Sequence, residues 1–179
     1  MEHEDGTTTT SAQDFVDALA EPIVVFDRHL DVVAANRLAG ALSASLTVGT
    51  NLARFTFLNP WVEDSVDGWE AEAHRTAAML RDSLDEHEAD DRFQELLGEL
   101  MARSTTFATE WAGGAVRPAR RGESTFENPL VGRIDLRWEQ LRRLEDPEHV
   151  LVVWTAADEA SAARLTTLRG LLDEDATTA

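Results

Sequence analysis

The order of periodic segments along the chain predicts an α+β fold, an antiparallel sheet of about five strands with helices massed on one side. Three observations carry this expectation. Two β-rich runs, "IVVF" at 23–26 and "DVVAA" at 31–35, flank a turn-like "DRHL" and form a hairpin. Toward the other end, Ile134, Leu136 and Trp138 alternate with Arg133, Asp135, Arg137 and Glu139, and "HVLVVWTA" is a continuous apolar run. The first pattern is that of a strand with one wet face, the second that of a central strand covered on both sides. Between the two pairs the spacing is helical. Neither pair could bury its apolar face alone, so strands from both ends meet in one sheet.

The elements follow in order. Residues 1–12 are polar and threonine-rich and read as a disordered lead-in; the folded domain spans 13–172, and 173–179 form an acidic tail. "AQDFVDALA" spaces Phe15, Val16 and Leu19 as a short helix that ends before Pro22. Asn36 can cap a helix carrying Leu38, Leu42 and Leu46 on one face, and Gly49 breaks it. "NLARFTFLNPW" reads as an apolar, irregular segment ending at Pro60. Asp67 and Glu70 have capping-box spacing ahead of a helix with the stripe Trp69, Ala73, Ala77, Leu80 and Leu84. After the polar joint "DEHEADD", a second helix buries Phe93, Leu96, Leu97 and Leu100; Ser104 can cap a third that sets Phe107 and Trp111 one turn apart. "AGGAVRPARRGES" is loop-like, and Asp158 can cap a last helix through Leu165, Leu168 and Leu172.

Composition removes several chemistries. With no cysteine there is no disulfide, thiolate nucleophile or cysteine-ligated metal, and because all 16 basic residues are arginine there is neither a Schiff-base lysine nor a phosphate-loop lysine. A net charge of -18 repels phosphate backbones, so direct binding of nucleic acid by this chain is not expected. The same acidity also serves solubility. No apolar run approaches the roughly 18 residues of a membrane span, and the acidic N-terminus is unlike a signal peptide, so no membrane association and a cytoplasmic location are expected.

Strand, turn, strand and an asparagine-capped helix resemble the opening of a PAS-type sensor domain. The segments "NRLAGAL", "NLARFTF", "GWEAEA", "AAMLRD", "STTFATEWA", "NPLVGRIDL" and "VLVVWTA" further resemble, in order, the C-terminal ligand-binding domain of MmyB-like transcription regulators, over roughly residues 14–172. The resemblance implies a PAS-like fold that senses a small apolar molecule, a fatty acid being a known ligand in the family. It also implies a helix-turn-helix DNA-binding domain ahead of the sensing part, which these residues do not include. Two departures matter: Asn128 stands before Pro129, and Gly113 and Gly114 lie after Trp111, where the family commonly has histidines. Ligand contacts by those histidines do not carry over.

A pocket for an acyl chain needs apolar walls and, for a carboxylate ligand, a cation near its mouth. Arg54, amid Leu52, Phe55 and Phe57, and Arg81, on the flank of the Trp69 to Leu84 stripe, match arginines of the family pattern; each can equally snorkel or pair with a carboxylate. Trp69, Trp111, Phe55 and Phe107 are candidate pocket walls that core packing would also explain, and Asn36 is a candidate contact better explained as a cap. Glu70 and His74 lie four apart, and Asp85 to Glu88 are clustered, but no third ligand stands at a recognisable spacing; no metal site and no other cofactor is expected. No catalytic constellation is found and no enzyme activity is expected. The expected function is a regulatory domain binding a fatty acid or similar apolar molecule between sheet and helices. The alternative is a closed-core interaction module acting as a homodimer.

Overall fold

The computed structural model describes residues 12–59, 61, 68–86, 89–113, 118–143 and 146–178. A first helix, α1, covers 12–17. It is followed by β1 (Ile23–Phe26), β2 (Val32–Ala35), α2 (Arg37–Leu42), a 3-10 turn (Ala44–Leu46) and α3 (Leu52–Leu58). Then come α4 (Trp69–Glu86), α5 (Asp91–Arg103), α6 (Thr105–Ala112), β3 (Arg121–Asn128), β4 (Gly132–Arg143), β5 (Asp146–Ala156) and α7 (Glu159–Thr178).

The five strands form one antiparallel sheet in the order β2-β1-β5-β4-β3. The late strand β5 is central, with Ile23 to Phe26 of β1 pairing Val153 to Val150 on one side and β4 on the other. This is the α+β arrangement the periodicity predicts. One face of the sheet, carrying Val24, Phe26, Ile134, Leu136, Trp138, Val152 and Trp154, joins the main core with Leu80, Phe93, Leu96, Leu100 and Phe107 from the helices. On the opposite face, Val16 of α1 covers Ile23, Val25, Ala34 and Leu151 in a second, smaller cluster. That lid explains why all four residues of β1 are buried.

Three differences from the sequence reading have local causes. The helix opened by Asn36 stops at Leu42, because the Ser43 side chain caps the 3-10 turn that holds Leu46. "NLARFTFL" is the regular helix α3 and not an irregular segment, since the Asn51 side chain accepts from Arg54 N at 3.0 Å and starts it. Within the glycine and arginine loop, Arg121 to Ser124 belong to β3, which pairs β4 from Arg121 opposite Glu139 to Asn128 opposite Gly132. The acidic end is helical through Thr178. Asp67, half of the expected capping box, lies outside the described residues.

The later helices start as expected. Asp90, Ser104 and Asp158 each accept a backbone N–H three residues on, at 2.7, 3.0 and 2.7 Å. The N–H of Phe93 and then the His29 ring hold the Asp90 carboxyl below the usual carboxylate range. The backbone and hydroxyl of Ser161 do the same for Asp158. Depressed values mean that both groups stabilise the fold fully above the ordinary carboxylate value of 3.8, and that this contribution is lost as pH falls through the folded values. In denaturant melts at about pH 5 and about pH 3, the double variant Asp90→Asn, Asp158→Asn keeps both cap acceptors and is expected to lose less stability on acidification than the wild type.

Gly122 lies opposite Trp138, and a Cβ there would sit 2.8 Å from the indole ring. Gly122→Ala is therefore expected to cost about 1–3 kcal/mol by overpacking. Gly98→Ala, in open space on α5, is expected to gain roughly 0.5–1 kcal/mol from helix propensity in the same melt.

Candidate functional site

An aromatic row runs through the seam between α3, α4 and α6. The Ser104 cap fixes the start of α6 and places Phe107 and Trp111 one turn apart with rings stacked, centroids 5.4 Å apart at 26°. Phe57 of α3 meets Phe107 edge-on at 5.0 Å. Trp69, at the start of α4, is buried and donates its indole N–H to Thr56 O at 3.2 Å, so the largest apolar side chain of that helix is also a strut to α3. Arg81, further along α4, lays its guanidinium 4.3 Å from the Trp111 ring centroid and donates to the Trp111 carbonyl. Among the described residues no carboxylate pairs with Arg81. Its partners are one indole face and one backbone oxygen.

A second polar and aromatic group faces α4 from the sheet. Trp138 and Trp154 are register partners on β4 and β5. Arg75 of α4 lies 4.8 Å over the Trp138 ring and donates from Nε to Glu72 at 3.0 Å; Arg142 of β4 pairs with Asp82 of α4 at 3.0 Å. At the edge of this layer a cavity of about 20 Å³, room for one water, is lined by residues including Met79, Ser83, Gln140 and Arg142. The buried donors Thr76 Oγ1 on α4 and Trp154 Nε1 on β5 have no hydrogen-bond partner among the described residues. A buried donor left unpaired costs about 1–3 kcal/mol, so both groups are poised to gain from an acceptor.

The structure thus brings Arg81, Phe107 and Trp111 together, with Trp69 buried against Thr56 at the other end of α4, and leaves the remaining candidates elsewhere. Arg54 turns outward, 44% exposed, and bonds Glu99 of α5 at 2.7 Å; that guanidinium is the main reason the Glu99 carboxyl lies below its usual range. Phe55, its neighbour on α3, is half-buried. Asn36 has its side chain fully engaged: Oδ1 accepts from Ala39 N at 3.0 Å, and Nδ2 donates to Glu21 O at 2.7 Å and more distantly to Val16 O and Leu19 O. It fastens α1 to α2. The Glu70 and His74 spacing makes no pair either, as His74 Nδ1 meets Glu110 of α6 at 2.8 Å. Sequence reasoning missed Phe57, Arg75, Thr76, Trp138 and Trp154 as members of the site. Alternation marked Trp138 and a continuous apolar run marked Trp154 as buried, but Arg75 and Thr76 lie off the apolar stripe of their helix, and nothing in one dimension says which residues face each other.

Residues 9–168 match the family model for the MmyB-like transcription regulator ligand binding domain. The chain belongs to that family. The family is regulatory and ligand-binding, and the five-stranded antiparallel sheet with its intervening helices is PAS-like. Among solved structures, the chain is similar to the PAS domain of an HTR-like protein from Haloarcula marismortui, at 15% identity and a TM-score of 0.35, covering 84% of this chain and 97% of that one. It is also similar to the PAS domain of BvgS from Bordetella pertussis, at 11% identity and a TM-score of 0.35, covering 96% and 99%. No curated protein matches the sequence. No helix among the described residues is long and apolar enough to cross a membrane.

Because the aromatic row is seated by the α6 cap, Ser104→Ala is expected to cost about 1 kcal/mol in a denaturant melt. Near-ultraviolet circular dichroism should weaken in parallel as the Phe107 and Trp111 rings lose their fixed geometry.

Proposed function

We propose that this domain senses a fatty acid or a similar apolar molecule with one anionic or acceptor end, taken up between α4, α6 and the sheet. The observation that carries the reading is Arg81. The chain has 34 acidic residues against 16 arginines, and Arg54, Arg75, Arg92, Arg103, Arg133 and Arg142 all hold a carboxylate. Arg81, half-buried beside Trp111 and one residue from the fully buried Leu80, holds none among the described residues. A cation kept off carboxylates at the edge of an aromatic row is what a carboxylate head group needs. The unpaired Thr76 and Trp154 donors supply further places for an acceptor atom. Arg54 has no part in this version of the site.

Burial of each methylene contributes about 0.8 kcal/mol, so a chain of roughly a dozen gains on the order of 10 kcal/mol before ordering costs. Ligand pockets occupy about 300–1,000 Å³. Uptake therefore requires the Arg81 and Trp111 contact to open and the layers to part, and that opening is the two-state element through which a bound ligand would bias the domain. With a surface that repels phosphates, the domain would pass its signal to a DNA-binding segment without touching DNA itself.

The close packing of Leu80, Leu96, Leu100 and Phe107 favours a second reading, a closed-core interaction module that acts through homodimerisation. One thermal-shift series separates the two. Fatty acids from about eight to eighteen carbons and the matching alcohols are titrated against the protein, with native mass spectrometry as a second readout. The sensor reading expects one length range to raise Tm, acids to bind about tenfold tighter than alcohols, and Arg81→Gln to remove that difference while Arg54→Gln leaves it. No uptake at any length, with a dimer in light scattering, would leave the closed-core module.

A further inference from the structure

The turn between β1 and β2 gathers a set of groups that the sensing site does not use. Asp27, His29 and Asp31 each bring one ligand atom to a common point, all within 4.8 Å of one another. The backbone fixes this arrangement. Asp27 Oδ1 accepts from the His29 and Asp31 amides, both at 2.9 Å, and Leu30 takes a left-handed conformation with φ 63° to close the turn. Asn51 Nδ2 donates to Asp31 Oδ1 at 3.0 Å and to the His29 carbonyl at 2.8 Å. Each carboxylate therefore has Oδ1 committed to the turn, and Oδ2 is left to meet charged partners beyond it.

His29 is the independent observation. It is 7% exposed, and its Nε2 lies 3.0 Å from both oxygens of Asp90. A nitrogen facing a carboxylate carries the proton, so in the neutral ring Nδ1 presents a lone pair. Nδ1 is buried, has no hydrogen-bond partner, and points at Asp27 Oδ2 from 3.6 Å. Two electron-pair donors face each other there, an arrangement that a cation between them relieves. The carboxylate behind the imidazole is also the usual backing of a metal-bound histidine. The Oδ2 oxygens already attract a cation: Arg92 of α5, its side chain 58% exposed, bonds Asp31 Oδ2 and comes within 4.0 Å of Asp27 Oδ2. On the opposing side, Arg28 approaches Asp90 at 3.9 Å.

We infer that Asp27, His29 and Asp31 form a binding site for a divalent transition metal of the zinc class, entered when Arg92 swings into solvent. One imidazole nitrogen and two carboxylate oxygens suit such an ion and leave a fourth position for water. Ligand bonds of about 2.0–2.1 Å place ligand atoms about 3.3 Å apart, so the side chains close by roughly 1.5 Å on binding. Through Asp90, which caps α5, and Asn51, which caps α3, the ion would tie two helices to the hairpin.

The test is calorimetric titration of chelator-treated protein with zinc chloride, with calcium chloride as the comparison for non-specific binding to the acidic surface. Saturable binding of one zinc per chain with a rise in Tm is expected, weakened at least about tenfold by His29→Gln or Asp31→Asn and about tenfold by Asp90→Asn. Arg92→Gln, an exposed change that leaves the turn intact, is expected to tighten binding several-fold. Cobalt in place of zinc gives the wild type a visible spectrum of a nitrogen- and oxygen-ligated ion, which serves if the His29 variant does not fold. The inference is overturned by the absence of saturable zinc binding, which would assign the point beside Nδ1 to a proton, by zinc and calcium binding alike, or by no response to Arg92→Gln.

Discussion

A strand of four residues buried on both faces can exist only where every backbone group is paired and both faces are covered at once. β1 meets this by pairing β2 on one edge and β5 on the other, with α1 beneath and the helical layer above. The condition links residues more than a hundred positions apart, since Val25 stands opposite Leu151. Asn36 reinforces the constraint: its amide takes carbonyls from the segment after α1 while its oxygen starts α2, so the lower lid and the upper layer hang on one side chain.

From this frame the placing of the helical layer follows as a matter of reach. The helices between β2 and β3 have no partner strand in their own stretch and lie across the face that β4 and β5 present. Their contacts with the sheet combine a shared apolar core, in which Leu80, Phe93, Leu96, Leu100 and Phe107 meet Ile134, Leu136, Trp138 and Val152, with polar links made by side chains, Arg75 over Trp138 and Asp82 to Arg142.

Much of this architecture was readable in one dimension because burial leaves a period. Ile134, Leu136 and Trp138 alternate, Trp69 to Leu84 repeat with the helix, and Asn36, Ser104 and Asp158 mark starts, each as found. β3 escaped notice because its outward residues Glu123, Thr125 and Glu127 are polar and its inward ones include Gly122 and Ser124, so the alternation carries little apolar contrast. α3 escaped because seven residues with four large apolar ones fill more than one face. Of the expected site, Phe107, Trp111 and Arg81 converge, whereas Arg54 was drawn off by Glu99, 45 residues away, a pairing no local pattern can report. The Asp27, His29, Asp31 grouping was invisible for a related reason: "DRHL" reads only as a turn, and the way that turn folds, which brings the three ligand atoms within 4.8 Å of one another, leaves no mark in the pattern.

Gly122 and Trp138 carry one last implication. With no side chain on the strand opposite and a guanidinium laid across its other flank, the Trp138 ring is held between a peptide plane and Arg75. Fluorescence from an indole depends on such neighbours, so its emission is set by the separation of the two layers that hold it. That indole, one of five in the chain, carries in its own emission a record of how Arg75 lies against the sheet.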